Sequence, residues 1–326
     1  METTRRPRLT PAIADIRRAV RALLPAEGLV LVGLSGGADS LALAAATAFE
    51  AGRAGIRAGA VIVDHNLQDG SADVAATAAE TARRLGLDPV LIMSVNVDSD
   101  GTGPEAAART ERYAAFDEAL AQSGASAILL GHTLDDQAET VLLGLARGSG
   151  PTSLRGMAAR TGPILRPLLG IRRAVTRAFC VDAHLEFWTD PQNFDPRYAR
   201  VRVRETVLPL LERELGPGIG VALARTADAL REDSDALDEL AESALHVHWA
   251  HGQISAAALA AQSPAVRQRM IRVGVHNLCG VSLNRGQTLA VAALVTDWRG
   301  QGALSLPGIR VIRQDGILIF SAPGPT

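Results

Sequence analysis

Two short stretches of the 326-residue chain hold residue types whose spacing can do chemistry. The first is Ser35-Gly36-Gly37-Ala38-Asp39-Ser40, which follows an apolar run and precedes apolar residues at helical spacing. Adjacent glycines let backbone approach a ligand closely. A helix starting there aims its N–H groups and the positive end of its dipole at an anion, which suits a phosphate. Ser35 and Ser40 add hydroxyl donors. Asp39 repels phosphate unless a cation lies between them, and so implies Mg2+. The common nucleotide loops do not fit. A Walker A loop needs a Lys after its glycines, and the dinucleotide fingerprint G-x-G-x-x-G breaks in the G-L-S-G-G-A that starts at Gly33. The second stretch opens Gly131-His132-Thr-Leu-Asp135-Asp136-Gln-Ala-Glu139-Thr. On a helix beginning near Thr133, Asp136 and Glu139 share a face, whereas Asp135 is rotated away. Unpaired acids aimed at a cleft call for a cation, either Mg2+ or a substrate ammonium. The structural alternative is an acid that serves only the start of the helix.

These stretches need elements to hold them. Short apolar runs at Leu29–Leu34, Ala58–Asp64, Pro89–Val95 and Ser126–Leu130 read as buried strands. Between and after them, Asp39–Glu50, Ser71–Leu85, Pro104–Gln122 and Thr133–Ala146 read as helices, with Ser71 as an N-cap. The alternation predicts an α/β fold with a doubly wound parallel sheet. Polar clusters at Ser35–Ser40, Asp64–Gln68 and His132–Asp136 then fall at one carboxyl edge, where open sheets bind ligands. Gly216-Pro217-Gly218 breaks the pattern, so the expected domains are 1–215 and 216–326. The second, smaller domain reads as mainly helical, with helices at Ile219–Trp249, Pro264–Leu278 and Arg285–Thr296 and a short C-terminal β-hairpin.

Composition narrows the chemistry. All 33 basic residues are Arg, and the absence of Lys excludes Schiff-base enzymes, lysyl-adenylate ligases and Walker A ATPases. No apolar leader or membrane-length run is read, which points to the cytoplasm. Cys180 and Cys279 read as two buried thiols, and His246, His248 and His251 as helix-end histidines rather than zinc ligands. Net charge is only −2, yet Val141–Val181 contains seven Arg and no acid. Arg147, Arg155, Arg172 and Arg173, with Arg202 and Arg204 beyond, form a tract suited to an RNA backbone. The competing reading is a solvated face paired with the acidic run Asp228–Glu242.

The Ser35–Ser40 loop resembles the PP-loop of the N-type ATP pyrophosphatases. Further stretches narrow the resemblance to the tRNA(Ile)-lysidine synthetase family of cytoplasmic bacterial enzymes. They are VDHNLQDGSADVA, EAAARTERY, GHTLDDQAET, LARGSG, the RPLL at Arg166–Leu169 and DPQNFDPRYARVRVR at Asp190–Arg204. VTDWRGQGALSLPG at Val295–Gly308 extends it, less strongly, into the second domain. The resemblance implies that ATP and Mg2+ are used to adenylate the wobble cytidine of a CAU-anticodon tRNA(Ile), which free lysine then attacks. It implies that Ser35, Gly36, Gly37, Ala38, Asp39 and Ser40 bind ATP, that Asp39 meets Mg2+, and that His132 faces the nucleotide. Arg112, Asp136 and Glu139 would line the reaction site with Asp39. Which carboxylate serves the lysine amine stays open, as does a homodimer. Two alternatives are a PP-loop tRNA 2-thiolase and a non-catalytic RNA-binding protein that holds ATP.

Overall fold

The computed structural model describes residues 9–64, 70–95, 104–148 and 150–322. Backbone contacts divide the chain into two compact units, Met1–Asp228 and Ala229–Thr326. In the first, α1 (Pro11–Leu23) leads into β1 (Leu29–Gly33), α2 (Ala38–Ala54), β2 (Arg57–Asp64), α3 (Ser71–Arg84), β3 (Val90–Ser94), α4 (Pro104–Ser123), β4 (Ala127–Leu129) and α5 (Leu134–Ala146). The expected βα alternation is therefore present. Ser71 is not a cap but the first helical residue, and Gly70 at φ +84° makes the turn before it.

The sheet order is β3-β2-β1-β4, with all these neighbours parallel. Alternate residues of β1 face opposite ways. Val30 and Val32 pack with Ile16, Val20, Leu41 and Leu43 from α1 and α2, while Leu31 packs with Phe116 of α4 and Ile128 of β4. Burial on both faces explains why the strands read as continuous apolar runs. Strand order reverses its progress between β1 and β4, which opens a crevice at their carboxyl ends. The loops leaving those two strands are the Ser35–Ser40 loop and the His132–Asp136 turn. The third expected cluster lies beside β2; of it, Asp64 is described and buried, and 65–68 lie outside the described residues.

After α5 come α6 (Pro151–Leu154), β5 (Arg160–Thr161), β6 (Ile164–Leu165) and α7 (Arg173–Asp182). β6 extends the sheet parallel to β4 and carries β5 antiparallel at the edge. Two-residue strands have no periodicity to read, so nothing in the residue pattern announces them. A helical stretch follows, α8 (Ala199–Arg202), a π-helical turn at Val203–Val207, and α9 (Leu208–Glu214).

Helix α10 (Ile219–His248) contains the point at which the two units divide. The second unit then holds β7 (Trp249–Ala250), β8 (Gln253–Ser255), α11 (Ala256–Ala260), α12 (Pro264–Cys279), α13 (Arg285–Thr296), β9 (Leu304–Leu306), β10 (Ile309–Gln314) and β11 (Ile317–Ser321). Its sheet is larger than the expected hairpin, with five antiparallel strands in the order β7-β8-β11-β10-β9. The turns at Pro307-Gly308 and Asp315-Gly316 join β9, β10 and β11, and β8 adds to the far side by pairing with β11. Its core gathers Ile254, Leu259, Met270, Ile271, Val291, Ile309, Val311 and Leu318.

Candidate active site

The loop after β1 is shaped by its own hydroxyls. The Ser35 N–H donates to Ser40 Oγ at 3.2 Å, the two hydroxyls lie 3.1 Å apart, and Ser40 Oγ donates to the Gly37 carbonyl at 3.0 Å. Gly36 holds φ +81°, a left-handed conformation that disfavours any side chain. Its carbonyl accepts from the Trp188 N–H at 3.0 Å. Gly37 starts α2 without a side-chain cap, so the first helical amides, including those of Ala38 and Asp39, keep their anion-binding capacity. Beside the loop lies a largely apolar cavity of about 190 Å³, lined by Leu34, Gly36, Leu41, Val74, Ala78 and Trp188.

The two stretches meet at Gly131. A Cβ there would sit 3.0 Å from the Asp39 carbonyl carbon and 3.1 Å from the Ser40 nitrogen. Glycine lets the chain leaving β4 press against the start of α2, where any side chain would require the Asp39–Ser40 peptide to give way. Immediately beyond, Thr133 caps α5 and Asp136 answers it. The Thr133 side chain accepts from the Asp136 N–H, and Asp136 Oδ2 accepts from the Thr133 N–H and hydroxyl, both at 2.8 Å. The helix-start alternative for Asp136 is thus present, and the same side chain keeps Oδ1 for another partner.

That partner is Arg173. The expected unpaired acids are paired, and the reason is that α7, α8 and the π-helical turn bring three guanidinium groups onto them. Arg173 reaches Asp136 Oδ1 at 2.9 Å, Glu139 Oε1 at 3.3 Å and Asp39 Oδ2 at 3.4 Å. Arg200 Nε donates to Glu139 Oε2 at 2.8 Å, and Arg204 donates to its two oxygens at 2.7 and 3.1 Å. Glu139 has no exposed side-chain surface, so both its oxygens are spent on arginines. Asp39 Oδ1 accepts from the Thr176 hydroxyl, one turn along α7 from Arg173. Burial pushes the Asp39 carboxyl up, against the pull of Thr176 and Arg173. Burial also acts to raise Asp136, but Arg173, Arg200 and the Thr133 amide outweigh it and hold that carboxyl below its usual range.

The remaining expected site residues scatter around this network. His132 lies at the end of β4 with its Nδ1 buried and unbonded among the described residues. Burial pulls its pKa down to about 4, with Arg166, Arg200 and Arg109 adding to the fall and Asp136 opposing it. Arg112 sits on α4, where desolvation and the like charges of Arg109 and Arg200 lower its pKa. Of the tract expected on RNA, Arg147 and Arg202 are exposed and Arg155 is half-buried. Arg172 lies 3.4 Å from Asp135 with 43% of its side chain exposed. Arg173 and Arg204 depart from that expectation, because at 17% and 23% exposure their guanidinium groups face carboxylates rather than an open surface. Arg200, which the sequence groups with the same basic run, faces Glu139 instead. Its signal is the spacing from Arg204, four residues apart on one helical face.

The oxygen donors of Asp39 and Asp136 are of the hard type that Mg2+ prefers, and Mg2+ needs only one or two carboxylates beside its waters. No group of three His, Cys, Asp or Glu able to hold a metal occurs among the described residues. No helix among them is long and apolar enough to cross a membrane.

Comparison with known proteins places both regions. A PP-loop domain family matches residues 11–211, and a TilS substrate binding domain family matches residues 254–319. A tRNA(Ile)-lysidine synthase of Leifsonia xyli subsp. xyli is 63% identical over 297 residues, covering 90% of this chain and 89% of its own. One from Salinispora tropica is 52% identical over 327 residues, covering 97% and 98%. Among solved structures, the U34-tRNA thiolase NcsA from Methanococcus maripaludis with its [4Fe-4S] cluster matches with a TM-score of 0.57. It covers 68% of this chain and 80% of its own at 20% identity, a likeness of fold. With the glycine loop, the acidic helix and both matched regions in order along one chain, and with relatives of this identity covered over almost their whole length, the chain belongs to the tRNA(Ile)-lysidine synthase family of PP-loop proteins.

Proposed function

We propose that the chain joins free lysine to the 2-carbon of the wobble cytidine of a CAU-anticodon tRNA(Ile), with ATP consumed to AMP and pyrophosphate. The observation that carries this reading is the contact at Gly131, which sets the phosphate-type loop and the acidic helix side by side at the switch point of the sheet. One loop holds the nucleotide and the other the groups that act on its acceptor and on lysine. The apolar cavity beside Gly36 suits a base. Mg2+, when bound, supplies charge neutralisation on the phosphates next to Asp39.

In the first half-reaction the cytidine O2 attacks the α-phosphorus and pyrophosphate leaves. The amides at the start of α2 and the Ser35 and Ser40 hydroxyls hold the phosphates as charge moves onto the leaving group. In the second, the lysine ε-amine attacks C2, the C2–O bond breaks and AMP departs. The attacking amine must be neutral. Asp136 is held charged by its arginines, which makes it a weak base and a good partner for an ammonium, so its role is to place the amine, whose proton passes to water before the attack. Glu139 has both oxygens engaged by Arg173, Arg200 and Arg204, and it organises those arginines instead. His132, neutral at physiological pH, can face a base without adding charge.

Arg147 and Arg202 are exposed and so open to an RNA backbone, and Arg172 joins them if Asp135 releases it. A thiolase reading fits less well. Cys180 is buried with its thiol pushed up to about 11 by burial and Asp39, and Cys279 lies in the other unit. Two such thiols do not make the cysteine set that a cluster needs. The test is release of AMP from ATP by the purified chain. AMP release that requires both a CAU tRNA(Ile) and lysine supports the reading. AMP release that ignores lysine, or none with every substrate present, overturns it.

A further inference from the structure

One guanidinium occupies the centre of the acidic site. Arg173 gathers Asp39 from α2 and Asp136 and Glu139 from α5, at 3.4, 2.9 and 3.3 Å. It is fixed there from below, since its own backbone N–H donates to Asp135 Oδ2 at 2.7 Å. Thr176, on the same face of α7, takes the other oxygen of Asp39. The two oxygens of Asp39 are therefore both held by α7. Two of these acids, Asp39 and Asp136, offer the one or two hard carboxylate donors that Mg2+ takes beside its waters, and a guanidinium stands between them.

The three acids do not depend on Arg173 equally. Glu139 keeps Arg200 and Arg204 at 2.7–3.1 Å whatever Arg173 does. Asp136 has those same arginines only at 3.8 and 3.6 Å, and Asp39 has the Thr176 hydroxyl but no second ion pair among the described residues. Loss of the Arg173 charge thus exposes two facing carboxylates, Asp39 and Asp136, whereas Glu139 loses one contact at 3.3 Å and keeps Arg200 and Arg204.

We propose that Arg173 is a built-in counter-cation: its guanidinium stands where a divalent metal ion or a substrate ammonium must enter, and it has to be displaced before Asp39 and Asp136 can hold either one. The inference rests on the reading of those two carboxylates as cation-holding groups given above. Its consequence is a built-in order. The acids stay charged and assembled between turnovers, and no metal occupies them until nucleotide phosphate or substrate offers the guanidinium another partner.

The test is Mn2+ binding followed by electron paramagnetic resonance, with protein alone and neither nucleotide nor tRNA added. The wild-type chain is expected to leave the free Mn2+ signal unchanged. Arg173→Met, close in length but uncharged, is expected to take up one Mn2+ per chain. Adding Asp136→Asn to that variant should abolish the uptake. Arg173→Lys, which keeps a cation, should behave as wild type. Equal Mn2+ binding by wild type and Arg173→Met, no binding by either, or binding that survives Asp136→Asn would each overturn the proposal. Circular dichroism checks each fold, and Arg173→Gln asks the same question should the Met variant not fold. Lysine transfer is not the readout. A chain that gains the Mn2+ site but never transfers lysine keeps the counter-cation and loses the lysidine reading.

Discussion

Glu139→Gln probes the arginine cluster most sharply, because it changes one charge and almost no volume. Glu139 is fully buried and accepts from Arg204 at 2.7 and 3.1 Å, from Arg200 at 2.8 Å and from Arg173 at 3.3 Å. Glutamine keeps one acceptor oxygen and turns the other into an NH2 that faces a guanidinium. Either orientation gives up two of these four hydrogen bonds and leaves three partly buried arginines short of a counter-charge. Removing one partner of a buried ion pair costs about 3–5 kcal/mol. For a unit of this size that corresponds to a fall of about 6–20 °C in Tm, at about 2–4 °C per kcal/mol. The assay is thermal unfolding followed by circular dichroism at pH 7, paired with tRNA-dependent pyrophosphate exchange. Exchange should fall together with lysine transfer, since Arg173 also holds Asp39. A Tm within about 2 °C of wild type would refute the clamp, given that surface substitutions stay within about 0.5 kcal/mol. Intact exchange with lost transfer would return Glu139 to the lysine amine.

Three further outcomes follow from the geometry. Gly131→Ala should raise the KM for ATP about tenfold, equivalent to about 1.4 kcal/mol, by pushing the Asp39–Ser40 peptide away; unchanged steady-state KM would mean the loop gives way freely. His132 is held down to about 4 in the fold against an ordinary 6.5, so the unfolded chain takes its proton first as pH falls, and stability is lost between about pH 6.5 and 4. His132→Gln should flatten that part of the Tm-against-pH curve, and an unaltered slope would count against the buried neutral ring. Arg147→Ala with Arg202→Ala should lower the salt dependence of tRNA binding, by about 0.9 in log–log slope for each duplex phosphate no longer neutralised, whereas Arg173→Met should leave the slope alone; the reverse pattern would put Arg173 on the RNA.

What is legible in the sequence is set by period and by local chemistry. The parallel sheet shows because β1, β2 and β4 are buried on both faces and read as plain apolar runs. Thr133 and Asp136 show as a helix start because capping is local. The pairing of Asp136 and Glu139 does not, because Arg173, Arg200 and Arg204 lie 34 to 68 residues further along the chain. A tract of Arg without acids looks the same whether its side chains meet RNA or carboxylates elsewhere in the fold. Arg204 adds a second obstacle, since it sits in a π-helical turn that the residue pattern does not announce. The second sheet looks like a hairpin because β7 begins at Trp249, inside the long helical reading, and three-residue β8 is too short to show a period.

The central claim is that one chain spends ATP to place lysine on a tRNA base. Incubation of the purified chain with ATP, Mg2+ and labelled lysine, separately with the CAU-anticodon isoleucine and methionine tRNAs, tests it directly. Nuclease digestion and mass spectrometry of the wobble nucleoside give the readout. The account predicts label on the isoleucine tRNA alone, on a nucleoside heavier than cytidine by one lysine less one water. A wobble cytidine left unmodified, or one that carries sulfur instead of lysine, would contradict it.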